Sequence, residues 1–328
     1  MGSLAEDSAA AAAARSRHGL LAPWLGDRAV TMHGAARMSR CDTNLEKIMQ
    51  IGLYEVTAIL DGTFALDGGS MFGVVPKPLW ERAQEPDERN RVRLASRLLY
   101  IQGAGRRILV DTGLGDKWDE KRREIFQVDR SAGGVLAALG ERGIEPGAIT
   151  DVILTHLHFD HAAGTTFREK ETLQLTFPNA MHHVQRRHWD WAFNPTLKDA
   201  GSFRAEDFAL LAGSDRLHLL EGEIELFEGI EIVVLDGHTP AMQVVKIRGP
   251  ETTLLYLADL VPTTTHLRWP YIMSYDNEPL VTLAEKQRYL LRAAREGWLL
   301  VFEHDPQVTA LRVSEDNGVL VPGPPRDL

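Results

Sequence analysis

Residues 155–164 constrain this chain more than any other stretch. They read Thr-His-Leu-His-Phe-Asp-His-Ala-Ala-Gly and follow a strand-like apolar run, Asp151 to Leu154. The polar cluster therefore stands at the C-terminal end of a strand, where loops build sites on a rigid frame. His156 and His158 are two residues apart in extended chain, so they project to one side and can share an ion. Asp160 and His161 come at the turn and can reach a second one. Three histidines and an aspartate at such fixed positions arise by chance on the order of once in a thousand chains. A solitary loop histidine is ordinarily satisfied by backbone hydrogen bonds, but this chain supplies what an isolated cluster lacks. His238 follows Ile230–Leu235, Asp259 follows Thr252–Leu257, and His304 follows Trp298–Phe302. Donors drawn from several strand ends are how a scaffold holds two ions a few ångströms apart.

The rest of the chain fits that demand for strands. Short β-rich runs appear at Tyr54–Leu60, Arg97–Gln102, Arg107–Val110, Leu173–Phe177, Met181–Gln185, Val244–Arg248 and Thr309–Val313, besides those just named. Two helical patterns are clear. One covers Leu283 to Glu296, with Thr282 and Glu285 in capping-box spacing and Gly297 placed to end it; the other covers about Ala132 to Arg142. Strand-rich halves, each finished by helices, predict an α/β fold of the α+β kind. Its form is an αββα sandwich of two mixed sheets packed face to face with helices outside.

On these residues the sequence resembles the metallo-β-lactamase fold superfamily, whose H-x-H-x-D-H motif stands here as His156 to His161, with a later His, an Asp and a final His. The resemblance covers roughly Tyr54 to Val313. It implies that His156, His158 and His238 bind one metal, that Asp160, His161 and His304 bind the other, and that Asp259 bridges them. Ile108-Leu109-Val110-Asp111-Thr112-Gly113 resembles the family's strand and turn ahead of the motif, which puts Asp111 just behind the ligands. The loop Gly68 to Pro76, with Ala258-Asp259-Leu260 and Phe302 to Pro306, is similar to the branch holding quorum-quenching acyl-homoserine lactonases and methyl-parathion-type hydrolases. The implied cofactors are two divalent ions, zinc by default, with Mn, Co and Fe tolerated by the same ligands. A homodimer is implied by the resemblance alone.

Two departures bear on the substrate. Where the family reads G-H-T-P-G-H, this chain reads Gly237-His238-Thr239-Pro240-Ala241-Met242, and Met242 cannot act as histidine would. Many homoserine lactonases carry a tyrosine three residues after the bridging aspartate; here that position is Pro262, and His266, Tyr271 or Tyr275 are the candidates to replace it. The reading is a dinuclear hydrolase, in which a metal-bridging hydroxide aimed by Asp160 and Asp259 opens an acyl-homoserine lactone or related lactone. Asp160 would return the proton to the leaving alkoxide. A phosphotriesterase or arylesterase using the same ions is the alternative. A mono-iron oxidoreductase and a non-catalytic binding module rank below both. Met71 and Phe72, flanked by glycines, are either core anchors or the apolar wall of an acyl pocket.

Composition excludes other classes. With 328 residues and 44% hydrophobic content the chain can bury a large core, and a formal charge of -10 argues against nucleic acid as a partner. No apolar run approaches the roughly 20 residues needed to span a bilayer, so a cytoplasmic protein without membrane contact is expected. One cysteine, Cys41, rules out an intrachain disulfide and a thiol-rich metal site. Residues 1–44 mix Ala, Gly, Arg and Ser without a period and read as a flexible extension or dimer arm ahead of a hydrolase domain over 45–328. His182, His183 and His188 read as structural rather than as a third metal site, and the charged run Asp116 to Glu124 reads as a solvated segment or lid base.

Overall fold

The computed structural model describes residues 48–328; the N-terminal extension and Cys41 lie outside them. Two seven-stranded sheets form the frame. The first runs, in spatial order, Met49–Ile51, Tyr54–Asp67, Arg91–Gly103, Arg106–Val110, Asp151–Ile153, Met181–Gln185 and Leu217–Leu220. Its antiparallel edge passes into a parallel half from Arg106–Val110 onward. The second runs Ile224–Phe227, Ile230–Leu235, Met242–Arg248, Thr253–Tyr256, Leu299–Val301, Ala310–Asp316 and Val319–Pro322, with one parallel pair, Thr253–Tyr256 beside Leu299–Val301. Both sheets are therefore mixed, as expected.

The core follows from the period of the strands. Val56, Leu99, Ile101, Ile108, Val110 and Ile153 from the first sheet share one buried cluster with Ile232, Val244, Ile247, Leu254 and Leu300 from the second. Helix Pro279–Glu296 adds Tyr289, Leu290 and Ala293 to it. Helices Gly134–Glu141 and Arg186–Phe193 cover the first sheet through a second cluster, with Val135, Leu139, Trp189 and Ala192 against Leu98, Leu109, Val152 and Val184. Among the described residues no helix is long and apolar enough to cross a membrane.

Three local expectations change. The strand expected over Tyr54–Leu60 continues to Asp67 and pairs with Arg91–Gly103 across a bulge between Leu60 and Gly62. Asp61 turns inward there, accepting from the backbone of Leu114 and Val135 and from Arg130, so its carboxylate ties a loop and a helix to the strand. The expected capping box is absent. Helix Pro279–Glu296 starts a turn earlier, with Pro279 at its first position and no side-chain cap, while Glu285 instead accepts from the backbone N–H of Asp236 and Gly237. Gly297 does end the helix in the left-handed conformation that favours glycine. The third is the Gly68–Pro76 loop, part of which is helical, Gly68–Phe72, with Asp67 accepting from the Ser70 N–H at 2.9 Å.

Candidate metal centre

The strand ends deliver the seven donors to one place. Asp151–Ile153 leads into the motif loop, Ile230–Leu235 into His238, Thr253–Tyr256 into Asp259, and Leu299–Val301 into His304. Two groups of ligand atoms result, His156, His158, His238 and Asp259 in one, Asp160, His161 and His304 in the other, with the atoms of each within 4.8 Å of one another. In the first, His158 Nδ1 lies 3.1 Å from His156 Nε2 and 3.2 Å from His238 Nε2, and Asp259 Oδ2 lies 3.0 Å from His238 Nε2. In the second, His304 Nε2 is 3.2 Å from His161 Nε2 and 3.7 Å from Asp160 Oδ2. Asp259 stands between them, with Oδ1 3.1 Å from His304 and Oδ2 3.5 Å from His161.

These spacings fit metal ions. Bonds of about 2.0–2.1 Å in a tetrahedral shell put neighbouring donors about 3.3 Å apart. All seven side chains are buried, and Asp259 Oδ1 has no hydrogen-bond partner despite its short distance to His304. Lying between the two groups, the Asp259 carboxylate would serve both cations if they were bound.

Four of the five rings are turned toward the centre by a partner on the other nitrogen, whereas His158 Nε2 is buried without one. His238 Nδ1 meets Asp276 Oδ1 at 2.7 Å, His304 Nδ1 donates to the Ala95 carbonyl at 2.7 Å, and His156 Nδ1 lies 3.1 Å from the Thr155 hydroxyl. His161 Nδ1 faces two buried carboxylates, Asp111 at 3.2 Å and Glu303 at 3.1 Å. Such partners set ring orientation and raise ligand basicity. Asp111 also accepts from the Thr155 N–H and hydroxyl at 2.7 Å, which pins the start of the motif loop. His188 bridges two ligand loops by accepting from the Leu157 N–H at 2.8 Å and facing the Pro240 carbonyl at 3.0 Å. Buried Arg97 holds the His304 loop through the carbonyls of Phe302 and Asp305. Asp111, Ala241 and Ala258 all have positive φ beside the ligands, a strain the surrounding contacts hold in place.

Electrostatics divide the cluster. Burial, reinforced by the neighbouring imidazoles, pushes His156 and His158 well below the usual histidine range. Burial alone would do the same to His238 and His304, but Asp259, together with Asp276 at His238 and Glu303 at His304, outweighs it and brings both up to about 9. For Asp259 the balance runs the other way: burial raises it, and His238, His304 and His161 hold it well below the ordinary range. Burial raises Asp160, and burial with the Glu303 charge lifts Asp111 to about 7. Ligating histidines must be neutral, so cations entering this cluster displace protons.

The pattern described as the metallo-beta-lactamase superfamily matches residues 93–304. The chain belongs to that superfamily. Among relatives, the N-acyl homoserine lactonase AttM of Azorhizobium caulinodans is 28% identical over 213 residues, 63% of this chain and 77% of that one. A probable metal-dependent hydrolase from Staphylococcus aureus superposes with a TM-score of 0.77 at 29% identity, covering 85% of this chain and 99% of its own. AidC, a dizinc quorum-quenching lactonase solved in complex with a product, shares the metallo-beta-lactamase fold at a TM-score of 0.72 and 22% identity, over 86% of this chain and 98% of its own.

The residues expected at the substrate separate. Phe72 is fully buried, stacked between Trp80 at 4.9 Å and His266 at 5.0 Å, with Tyr271 edge-on at 6.0 Å. Met71 is buried in the same cluster. Both are core anchors in this structure, not an exposed pocket wall, because the short helix turns them inward. His266 has both nitrogens committed, one to Thr263 Oγ1 and one to the Met71 carbonyl, each at 2.8 Å, which leaves it nothing for a substrate. Tyr271 is buried against Phe72. Tyr275 is half-buried, and burial together with the Asp67 and Asp160 charges pushes its phenol up to about 12, against a hydrogen bond with Ser70. Met242 lies in the core, and the Pro262 carbonyl accepts from the His304 N–H at 3.0 Å.

Sequence reasoning missed Glu303 and Asp276. Glu303 had a signal in its place next to His304. Asp276 had none, since it is a loop residue 38 positions from its histidine.

Proposed function

We propose that this chain is a dinuclear metal-dependent lactonase that opens acyl-homoserine lactones or related lactones. The observation that carries the reading is the pair of donor groups joined through Asp259, with His156, His158 and His238 on one side and Asp160, His161 and His304 on the other. Zinc is the ion we propose, because a shell of histidine nitrogen and carboxylate oxygen at these spacings suits it. The named activities of AttM and AidC support the substrate class.

Bound there, two divalent ions would supply an activated water nucleophile near neutral pH and a Lewis acid for the carbonyl oxygen. The chain's own groups do the rest. Asp259 keeps its carboxylate charged, so it can hold both positions at once. Asp160, which burial pushes toward its protonated form, suits the transfer of a proton to the departing alkoxide. Tyr275, whose phenol burial holds toward its protonated form, is the hydroxyl we assign to the substrate carbonyl, in place of the tyrosine that Pro262 displaces. No serine or cysteine nucleophile is required.

The test is metal analysis followed by kinetics on enzyme of measured metal content, with an acyl-homoserine lactone, a plain lactone, an aryl ester and paraoxon. About two ions per chain and the highest kcat/KM on a lactone are expected. Absence of metal, with no gain on adding zinc, manganese or cobalt, refutes the dinuclear reading. A preference for paraoxon or the aryl ester replaces lactonase with phosphotriesterase or arylesterase.

A further inference from the structure

Residues outside the motif grip the segment that orients His238. Helix Arg186–Phe193 covers the first sheet, and the turn after it brings Lys198 and Asp199 onto the segment ahead of helix Pro279–Glu296. Lys198 Nζ donates to the carbonyls of Tyr275 and Asp276, each at 3.0 Å, and to Asn277 Oδ1 at 3.3 Å. An ammonium carries three donors, and three acceptors meet them here. The other end of the Asn277 amide donates from Nδ2 to Asp199 Oδ2 at 2.8 Å. Asp199 is in turn fixed from its own side, accepting from Trp191 Nε1 at 2.8 Å and from Thr196 Oγ1 at 2.7 Å. The grip is therefore anchored in the helix, through Trp191.

What is gripped decides what the grip does. The carbonyls of Tyr275 and Asp276 belong to the two peptide planes on either side of the Asp276 Cα. A planar peptide turns as a unit, so holding both planes fixes φ and ψ of Asp276 and with them the direction of its Cα–Cβ bond. That bond leads to the carboxylate whose Oδ1 lies 2.7 Å from His238 Nδ1. Backbone bonds secure the two ends of the segment. The Ser274 N–H donates to the Ser70 carbonyl at 2.8 Å, and the N–H groups of Asn277 and Glu278 donate to the carbonyls of His238 and Gly237 at 3.0 and 2.9 Å. Lys198 supplies donors to the two carbonyls between them. A carboxylate on the far nitrogen of a ligating imidazole sets ring orientation and ligand basicity, and its loss costs about 10–100-fold in metal affinity.

We infer that Lys198 is a positioning residue of the metal centre: it holds both peptide planes of Asp276, which aims that carboxylate at His238 and strengthens ion binding by His156, His158 and His238. This rests on the dinuclear reading above, because the ion is the one that reading puts there. The sign of the effect separates positioning from charge. Loss of an ammonium can only favour a cation in its neighbourhood by Coulomb's law, so lost positioning and lost repulsion act in opposite directions.

The experiment is a chelator competition for zinc on the whole chain, with the ions per chain counted alongside. Lys198→Met, at an exposed position, is expected to weaken zinc binding by at least about threefold, though less than loss of the carboxylate itself. In an Asp276→Ala background no carboxylate is left to aim, so the same substitution should change affinity by less than about twofold. Tighter binding by Lys198→Met, or a loss smaller than about threefold, overturns the inference, and so does a loss that stays above about twofold in the Asp276→Ala background. Melting curves verify that each variant is folded. Where Lys198→Met is not, Asn277→Ala, which opens the Asp199 arm of the grip, takes its place with the same outcomes; where Asp276→Ala is not, Asp276→Asn does. Wild-type protein that takes up zinc while Lys198→Met binds it equally well refutes this inference alone. Wild-type protein that takes up no zinc, manganese or cobalt refutes the dinuclear reading and this inference with it.

Discussion

Replacing Phe72 with alanine asks whether the glycine-flanked segment is a pocket wall or part of the frame. The ring is fully buried, lies nearly parallel to Trp80 and His266 at interplanar angles of 22° and 13°, and meets Tyr271 at 80°. Truncating a buried phenylalanine costs about 3–5 kcal/mol, and the loss of ring pairs worth about 0.5–1.5 kcal/mol each favours the upper part of that range. With a shift of about 2–4 °C per kcal/mol in a large domain, the melting temperature should fall by roughly 6–20 °C. His266 would lose its stacking partner, so activity should decline on every substrate alike rather than on long-chain lactones alone. Thermal melts of metal-loaded protein, run beside KM across a series of acyl-chain lengths, read both effects. A melting temperature within about 2 °C of wild type, joined to a KM increase confined to long chains, would refute the core assignment.

Asp160→Asn, which keeps size and removes charge, should lower turnover at least about a hundredfold with metal content measured alongside; an unchanged rate removes Asp160 from the mechanism. Asp276→Asn weakens the carboxylate that orients His238 from 2.7 Å, so metal affinity should drop about 10–100-fold in a chelator competition, and equal affinity would show that His238 needs no such support. Burial pushes Lys286 down to about 7, against about 10.4 in the unfolded chain, so between those values the unfolded chain binds more protons and stability rises with pH. Relative to Lys286→Met, wild-type protein should therefore gain roughly 3–4 kcal/mol from pH 7 to pH 10 in denaturant unfolding; a pH-independent difference contradicts the depressed value.

Much of the frame was legible because the signals are local. Apolar-rich runs such as Ile230–Leu235, between Gly229 and Asp236, and Thr252–Leu257, after Glu251, are strand-length and form strands. Signals that depend on what stands opposite were read less well. Thr282 and Glu285 have capping-box spacing, yet Pro279 starts the helix earlier and Glu285 serves the backbone of the His238 loop. Lys117 belongs to a charged run that reads as solvated, yet its ammonium is buried against Asp207, a residue distant in sequence.

The same division runs through the site. Sequence by itself determined which side chains can be donors, because a histidine or carboxylate at a strand end carries its ligand chemistry wherever the strand goes. Only the tertiary structure decided how those donors point. Asp276 turns His238, Glu303 and Asp111 turn His161, and the Ala95 carbonyl turns His304, each from a segment far along the chain. It also decided that Phe72 and His266 belong to the core, stacked on one another, while Phe203 packs edge-on against His158. The reason is physical: a residue's chemistry is covalent and local, whereas its orientation and burial are set by packing partners that only the closed fold brings within reach.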